Sequence, residues 1–377
     1  MRILRFMGYP INNFSTLERM MLAQAQALRQ RGHEVEIVFD GIRRPEAAAA
    51  ARAFAPEVPL HFDLPARFGL GQPLATLRYA LAAARLIRRG RYDIVHLYFD
   101  PSARLLNQLA RCFPRVRFLR TIGSTPLPRG GRRYLDGVKR RKWVFDLAQM
   151  ARLICVGQHI GDMLQAYGVP RERIVVVPNA TDVQRFQRQA AHQPGALLRL
   201  GFVGRLTPVK NLELMIEGMR RLVAQGEHQV RLTLVGDGEL GASLRQRVRE
   251  QGLESYVQFA GQLSDIPGVL NRDFDVYVQA SHNEGCPAAV IEAMACEVPV
   301  LLSDIEGHRQ VAAPGRHGTY FAAGDADAFV AGVRRIQADY PHYLAMARAG
   351  RAHIVATYSI EAWIEKELAV YQSLLAA

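Results

Sequence analysis

The chain of 377 residues lacks the features that mark several classes of protein. It has no apolar run near the roughly 18 residues that a membrane-spanning helix needs. Arg5 interrupts its apolar start, so no signal peptide is indicated and we expect a cytoplasmic protein. The cysteines form no CxxC pair, which favours reduced thiols over disulfides or a zinc site. They are Cys112, Cys155, Cys286 and Cys296.

Acidic residues are scarce in the first half of the chain. Residues 1–190 contain 31 Lys and Arg against 14 Asp and Glu, a net charge of +17. Residues 191–377 contain 17 against 21, a net charge of −4. A basic half of this kind can meet nucleic acid, anionic lipid or an acidic substrate. Because it shows neither a zinc-finger pattern nor an aromatic RNA-binding signature, we expect no nucleic-acid partner.

The densest group of cations lies between residues 129 and 142, with aromatic residues directly after it. Each basic residue near an anionic membrane contributes about 1 kcal/mol of attraction. The segment therefore predicts peripheral attachment to the inner face of the cell membrane, and a solvated basic loop is the alternative. The predicted membrane contacts are Arg129, Arg132, Arg133, Lys139, Arg140, Arg141, Lys142 and Trp143.

Short β-rich runs alternate with helical patterns, which is typical of parallel sheets covered by helices on both faces. Two series of strands are predicted, as expected for a chain too long for one compact core. A segment rich in Gln, Asn and Pro, from Pro178 to Gly195, separates them and indicates a linker. The predicted strands are Ile3–Phe6, Val35–Phe39, Ile94–Leu97, Val116–Leu119, Leu153–Val156 and Ile174–Val177, then Leu200–Val203, Leu232–Val235, Val257–Phe259, Val276–Val278 and Val300–Leu302. A final amphipathic helix is predicted from Ser359, as N-cap, to Ala377.

Two cations follow the first strand of the second series. Gly204 and Arg205 come directly after that strand, and Lys210 precedes a predicted helix. Parallel sheets bind ligands at the carboxyl ends of their strands, and a helix N-terminus favours an anion. An arginine fork and a mobile lysine charge suit phosphate oxygens. These residues predict a phosphate site, with two solvated cations as the alternative.

Two carboxylates eight residues apart, Glu284 and Glu292, follow a later strand. A fully helical segment would separate them by about 12 Å, more than the roughly 5–9.5 Å of a glycosidase pair. A nucleotide sugar instead presents hydroxyl groups at both ends, so Glu284 would meet the sugar and Glu292 the ribose. Between them, the amides around Cys286, Ala288 and Ala289 begin a helix and can face the diphosphate. An exposed helical Glu292 is the alternative.

Other polar residues lie at predicted strand ends. His96 ends a strand and is a candidate for substrate contact, although a packed histidine is the more frequent case. Gly123 and Ser124 belong to another strand-end loop and are candidates for acceptor contact. The segment from Gly236 to Glu239 predicts a structural turn, with glycine supplying a positive φ, rather than a contact to a nucleotide base.

Several segments together resemble the retaining group 1 glycosyltransferases of GT-B fold. The resemblance rests first on Gly204-Arg205-Leu206 with Lys210-Asn211, joined to Glu284-Gly285 and Glu292-Ala293-Met294. Further similar segments, in the family's order, are Arg31-Gly32-His33-Glu34-Val35, Tyr92-Asp93-Ile94-Val95-His96, Val177-Pro178-Asn179-Ala180-Thr181-Asp182 and Leu234-Val235-Gly236-Asp237-Gly238.

The resemblance implies an α/β protein of two Rossmann-like domains that face each other across a cleft. Residues 1–177 would bind the acceptor, residues 178–356 the nucleotide-sugar donor, and residues 357–377 would form a helix that packs back on the first domain. The donor is expected to be UDP- or GDP-linked, and the acceptor a saccharide or a lipid-linked sugar. The implied reaction retains the anomeric configuration and needs no metal and no cofactor, with Arg205 and Lys210 holding the diphosphate and Glu284 the transferred sugar.

The chain departs from the family pattern at three places. Ser15 and Thr16 stand where the family often has two glycines, and we place them as possible acceptor contacts. The loop at Gly123 lacks a histidine that the family often has there. Cys286-Pro287 replaces Phe-Gly and removes one N–H donor. These departures make a non-catalytic sugar-nucleotide-binding relative an alternative. A sugar-nucleotide epimerase or a phosphorylase on the same fold is a further alternative.

Overall fold

The computed structural model describes residues 1–12, 14, 16–64, 73–98, 104–124, 138–189 and 194–376. Of residues 16, 73–76, 104, 105, 138–140 and 142 it describes the backbone alone. The chain divides into two compact units. The first unit comprises Met1–Pro178 with Ile360–Ala377, and the second comprises Asn179–Ser359. The boundaries expected from the sequence, after residues 177 and 356, lie within a few residues of these.

The described part of the first unit is built around a seven-stranded parallel sheet with the order β3-β2-β1-β4-β5-β6-β7. Its strands are β1 Arg2–Phe6, β2 Glu34–Val38, β3 Leu60–His61, β4 Ile94–Leu97, β5 Arg117–Ile122, β6 Arg152–Cys155 and β7 Ile174–Val176. Its helices are α1 Thr16–Gln30, α2 Pro45–Phe54, α3 Pro73–Gly90, α4 Arg104–Cys112, α5 Val138–Leu147 and α6 Gln158–Ala166, followed at the end of the chain by α14 Ile360–Leu375. The order reverses beside β1, as in doubly wound folds.

The second unit contains a six-stranded parallel sheet with the order β10-β9-β8-β11-β12-β13 in its described residues. Its strands are β8 Leu198–Val203, β9 Val230–Val235, β10 Val257–Gly261, β11 Val276–Gln279, β12 Val300–Ser303 and β13 Thr319–Phe321. Its helices are α7 Leu212–Ala224, α8 Gly241–Glu250, α9 Ile266–Arg272, α10 Ala288–Ala295, α11 Glu306–Val311, α12 Ala326–Ala338 and α13 Tyr340–Tyr358.

The predicted α/β architecture with two parallel sheets is confirmed. The apolar runs form the central strands because a parallel sheet is covered on both faces and its strands are buried throughout. Phe202, Leu234 and Val278, for example, are fully buried. The sequence did not predict the edge strands β3 and β13, which have two and three residues.

The C-terminal helix α14 belongs to the first unit, as expected, and packs against α1. It begins one residue after Ser359, and Trp363, Ile364, Tyr371 and Leu374 of the predicted apolar stripe are buried. Leu375, on the same stripe, is exposed. No helix in the described part of the chain combines the length and the apolar character that crossing a bilayer requires.

Candidate functional site

In the second unit, the loops after β8 and β9 lie against each other at the carboxyl end of the sheet. The amide of Leu206 donates to the carbonyl of Asp237 at 3.0 Å, and the amide of Leu240 donates to the carbonyl of Leu206 at 3.0 Å. Gly236 has a φ of 132°, and a Cβ there would lie 1.9 Å from the carbonyl oxygen of Gly204. Glycine is therefore required for this close approach, which supports a structural role for the turn.

Lys210 lies against Glu284. A short 3₁₀ turn, Pro208–Lys210, carries the lysine, and α7 begins just after Asn211. Lys210 Nζ donates to Glu284 Oε1 at 2.6 Å, which joins the two segments that carried the phosphate and sugar predictions. Arg205, by contrast, is exposed, and among the described residues it forms no ion pair.

Three donors converge on one oxygen of Glu284. Besides Lys210, Gln279 Nε2 and Ser281 Oγ each donate to Oε1 at 2.7 Å. The glutamate side chain is 12% exposed, so its carboxylate is held in one orientation at the edge of solvent. A carboxylate oriented in this way can accept hydrogen bonds from hydroxyl groups of a ligand.

A row of polar side chains on β11 and just after it supports this carboxylate, and sequence reasoning missed it. Tyr277, Gln279 and Ser281 alternate along the chain and share one face, as the period of a strand requires. Tyr277 Oη donates to Gln279 Oε1 at 2.7 Å, while the amide nitrogen of Gln279 reaches Glu284. All three side chains are buried. The one sequence signal for this row was that side chains with polar groups at positions 277, 279 and 281 alternate with apolar residues.

Tyr277 also links the two glutamates. Burial raises the pKa of Tyr277 well above its usual value of 10.0, and the nearby carboxylates of Glu284 and Glu292 raise it further. Both carboxylates are therefore close enough to act on one phenol. Glu292 itself is only 4% exposed, so the alternative of an exposed helical glutamate is wrong.

Helix α10 begins at Ala288, within the segment that the sequence predicted for the diphosphate. Pro287 precedes it, and the carbonyl of Pro287 accepts from the amides of Val290 and Ile291. The amides of Ala288 and Ala289 belong to the first turn, where a helix offers no acceptor of its own. Cys286 is buried, and its carbonyl accepts from Asn179 Nδ2 at 2.7 Å.

His308 on α11 is a further residue that the sequence did not single out. It is fully buried, and its Nδ1–H donates to the carbonyl of Ser303 at 2.7 Å. The pKa of His308 is lowered to about 4, mainly by burial and to a lesser extent by Lys210, while Ser303 and Glu284 act in the opposite direction. The preceding Gly307 lies so close to Glu284 that a Cβ there would be 2.2 Å from the Glu284 carbonyl oxygen. This neutral histidine thus lies near the Lys210–Glu284 pair.

In the first unit, His96 lies in the core rather than at an exposed strand end. Its side chain is fully buried, and its ring nitrogens form hydrogen bonds with the hydroxyls of Tyr371 at 2.7 Å and Thr121 at 2.8 Å. Burial and the nearby charge of Arg5 hold the pKa of His96 well below 6.5, so the ring is neutral. This is the packed alternative, and His96 is no longer a candidate for substrate contact.

The remaining acceptor candidates lie at the carboxyl ends of strands or outside the described residues. Gly123 is half-buried and Ser124 is exposed, directly after β5. Ser15 lies outside the described residues, and Thr16 begins α1 without a described side chain.

A buried ion pair that sequence reasoning also missed joins the two ends of the first unit. The guanidinium of Arg5 on β1 donates to Gln24 on α1 and to Glu367 on α14. Tyr98 Oη donates to the second oxygen of Glu367 at 2.7 Å, and Arg5 also donates to Tyr371 Oη at 3.3 Å. The pair has side-chain exposures of 0% and 3% and is closed to solvent.

The predicted membrane segment is described only in part. Arg129, Arg132 and Arg133 lie outside the described residues, as do the side chains of Lys139, Arg140 and Lys142. On α5, Arg141 is exposed, Trp143 is half-buried and Phe145 is 55% exposed. Membrane contact by this segment stays a prediction.

Two family models match the chain, one mainly in the first unit and one in the second. The model of the group 1 glycosyl transferases matches residues 183–353, and the model of glycosyltransferase family 4 matches residues 17–185. Together the two models span residues 17–353, so the chain is a glycosyltransferase that is similar to the group 1 enzymes. The resemblance seen in the sequence motifs is confirmed.

Curated proteins of similar sequence include glycosyltransferases named for colanic acid and lipopolysaccharide core biosynthesis. The chain is 24% identical over 302 residues to the UDP-Gal:alpha-D-GlcNAc-diphosphoundecaprenol alpha-1,3-galactosyltransferase of Escherichia coli, covering 77% of this chain and 78% of that one. It is 31% identical over 176 residues to the putative colanic acid biosynthesis glycosyltransferase WcaL of Salmonella typhimurium, covering 45% of this chain and 43% of that one.

Among solved structures, Anabaena Alr3699/HepE in complex with UDP is similar to this glycosyltransferase over its whole length. The TM-score is 0.79 at 18% identity, with 99% of this chain and 100% of that one covered. The same Anabaena protein has also been solved with UDP-glucose. At this level of identity the likeness shows the fold, and the two-domain GT-B architecture predicted from the sequence is confirmed.

Proposed function

We propose that this glycosyltransferase is a retaining, metal-independent enzyme that moves a hexose from a UDP- or GDP-linked donor to a saccharide or lipid-linked acceptor. The products would belong to polysaccharide, lipopolysaccharide or glycolipid synthesis. The observation that carries the proposal is the Lys210–Glu284 pair, held by Gln279 and Ser281 at the carboxyl end of the sheet.

The charges around this pair support diphosphate binding. Glu284 neutralises Lys210, while Arg205 is exposed and without an ion pair among the described residues. Arg205 therefore supplies the net positive charge that a diphosphate needs, and Lys210 has further N–H donors to share. The amides of Ala288 and Ala289 in the first turn of α10 would add neutral donors, whereas the amide of Gly204 already donates to the carbonyl of Val235 at 2.9 Å.

In the proposed reaction the acceptor hydroxyl attacks the anomeric carbon from the face that the diphosphate leaves. The bond from that carbon to the diphosphate oxygen breaks, and this oxygen takes the proton of the hydroxyl. Negative charge develops on the departing diphosphate, so positioned cations lower the barrier. Arg205 and Lys210 would stabilise this charge, Glu284 would hold the transferred sugar, and Glu292 would bind the ribose.

Known proteins of similar sequence or fold support a uridine nucleotide as donor. The name of the E. coli relative specifies UDP-Gal, and the Anabaena structures contain UDP and UDP-glucose. For the acceptor we propose contacts at Gly123 and Ser124 in the first unit. We also propose that the enzyme works at the cytoplasmic face of the membrane, attached through the basic segment.

The proposal is tested by incubating the purified protein with a panel of nucleotide sugars, with and without saccharide acceptors. We expect donor consumption that depends on acceptor, continues in excess EDTA, and gives a product whose anomeric configuration, read by NMR, matches the donor. Conversion of the donor sugar without acceptor would identify an epimerase instead. An inverted product, or activity abolished by EDTA and restored by a divalent cation, would overturn the mechanism.

A further inference from the structure

A basic cavity of about 370 Å³ lies in the first unit, at the end of the sheet where strands β5, β6 and β7 begin. Arg117 and Arg152 begin β5 and β6, Arg173 directly precedes β7, and all three line the cavity. These strands are parallel, and the loop at Gly123 follows the carboxyl end of β5. The cavity and this loop therefore lie at opposite ends of the strands. Doubly wound sheets bind their substrates at the carboxyl edge. The cavity is therefore separate from the proposed acceptor contacts.

The three arginines around this cavity hold charges that no carboxylate neutralises. Their described hydrogen bonds go to neutral main-chain carbonyls: Arg117 to Leu374 at 3.1 Å, Arg152 to Ala151 at 3.0 Å and Arg173 to Ala148 at 2.6 Å. Among the described residues none of the three forms an ion pair, and no Asp or Glu lines the cavity. A guanidinium has five N–H donors, so each retains donors for a ligand. Three unopposed cations around one cavity favour an anion.

An exposed aromatic ring adjoins the cavity. Gln149 lines it and donates through Nε2 to the carbonyl of Phe145 at 3.1 Å. Arg111 donates to Gln149 Oε1 at 2.8 Å, and its guanidinium lies 5.3 Å from the centre of the Phe145 ring. Phe145 is 55% exposed even with this arginine beside its ring. Basic and aromatic side chains together are typical of surfaces that lie in a membrane interface.

We propose that the cavity binds the phosphate of an anionic lipid headgroup while Phe145 enters the interface between headgroups and acyl chains. A free phosphate ester offers the same chemistry to the arginines, but it gives the exposed ring nothing to contact. The inference goes beyond the transfer reaction, and it uses residues outside the basic segment at 129–142. Its failure would leave the proposed transfer reaction untouched.

The test is cosedimentation of the full chain with phosphatidylcholine vesicles that contain, or lack, equimolar phosphatidylglycerol. Arg152→Gln with Arg173→Gln should weaken binding to the anionic vesicles roughly 25-fold, about fivefold for each arginine. The matched control is Arg88→Gln with Arg89→Gln on α3, two exposed arginines of the same unit whose loss changes the net charge equally. Phe145→Ser should weaken vesicle binding without changing the response to glycerol phosphate. Transfer to a water-soluble acceptor should stay unchanged in all variants and reports that each is folded.

Equal losses in the cavity variant and the α3 control would overturn the proposal, because general surface charge would then explain the binding. Stabilisation by glycerol phosphate against heat, lost in the cavity variant, without any vesicle binding by the native protein would also overturn it, in favour of a soluble anion. If the glutamine variant does not fold, Arg152→Lys with Arg173→Lys retains the charge but loses the guanidinium fork. Unchanged vesicle binding in that variant would contradict a built phosphate site.

Discussion

Each unit contains a cation paired with a glutamate beside tyrosine, and the two pairs differ in their access to water. Arg5 and Glu367 have side-chain exposures of 0% and 3%, whereas Lys210 and Glu284 have 21% and 12%. The first pair is closed off by Tyr98 and α14, so no ligand reaches it and its effect is on folding. The second pair is open on one side, so its cation can be shared with a bound anion. Burial therefore separates a structural pair from a functional one.

The largest expected effect comes from removing one partner of the buried Arg5–Glu367 pair. Glu367→Ala leaves Arg5 buried without a counter-charge and should lower the free energy of unfolding of the first unit by about 3–5 kcal/mol. Both tryptophans of the chain, Trp143 and Trp363, lie in this unit, so fluorescence during urea unfolding reports on it alone.

The matched control for that prediction is Glu365→Ala on the same helix, which breaks an exposed pair with Arg31. Exposed pairs are worth at most about 1 kcal/mol. Replacing both buried partners, by Arg5→Met with Glu367→Leu, should cost less than Glu367→Ala alone, because no charge is left buried. Equal costs for Glu367→Ala and Glu365→Ala would remove the distinction between the two kinds of pair.

The second effect concerns pH and the histidine near the open pair. The pKa of His308 is about 4 in the folded chain and 6.5 by its usual value, so the unfolded chain binds the proton more readily. The free energy of unfolding should therefore fall as the pH falls from 6.5 to about 4, by about 3 kcal/mol for this group. Urea unfolding followed by circular dichroism, compared between the native chain and His308→Gln, isolates the contribution. A difference between them that does not change with pH would exclude a buried neutral His308.

The third effect is on transfer itself. Arg205→Ala should lower kcat/KM by at least about 30-fold, because the arginine's positive charge stabilises the negative charge on the departing diphosphate. This loss corresponds to about 2 kcal/mol in the activation barrier. The residue is exposed, so stability should not change. Arg316→Ala, an exposed arginine of the same unit, is the control in steady-state assays. Similar losses for the two variants would show that Arg205 acts only through the general charge of the unit.

The smallest expected effect concerns the polar row that supports Glu284, formed by Tyr277, Gln279 and Ser281. Gln279→Leu removes one hydrogen bond to the Glu284 carboxylate and should lower kcat about tenfold, since hydrogen bonds to charged groups contribute about 1.5 kcal/mol or more. The dissociation constant for UDP alone, measured by calorimetry, should stay the same because Gln279 acts on the sugar-binding carboxylate. Tyr277→Phe should give a smaller loss in the same direction. Weaker UDP binding in Gln279→Leu would indicate a wider structural disturbance.

The sequence predicts the periodic parts of the fold well, because central parallel strands and amphipathic helices repeat their apolar residues over several turns or positions. It does not predict β3 and β13, which are too short to show a period. The phosphate and sugar segments were predicted separately, but not the direct contact between Lys210 and Glu284. That contact joins residues 74 positions apart and depends on how the loops fold. The burial of Glu367 could not be predicted from the sequence either, because its partner Arg5 lies 362 positions away.

The return of α14 to the first unit has a consequence for synthesis of the chain. Domains usually fold in the order in which they leave the ribosome, N-terminal first. Here Arg5 emerges among the earliest residues, yet Glu367 emerges only after the whole second unit, Asn179–Ser359, has been made. All strands and helices of the second unit are thus synthesised before α14, the last helix of the first unit. For almost the entire time of translation, the guanidinium of Arg5 therefore lacks both its carboxylate partner and the helix that packs over it.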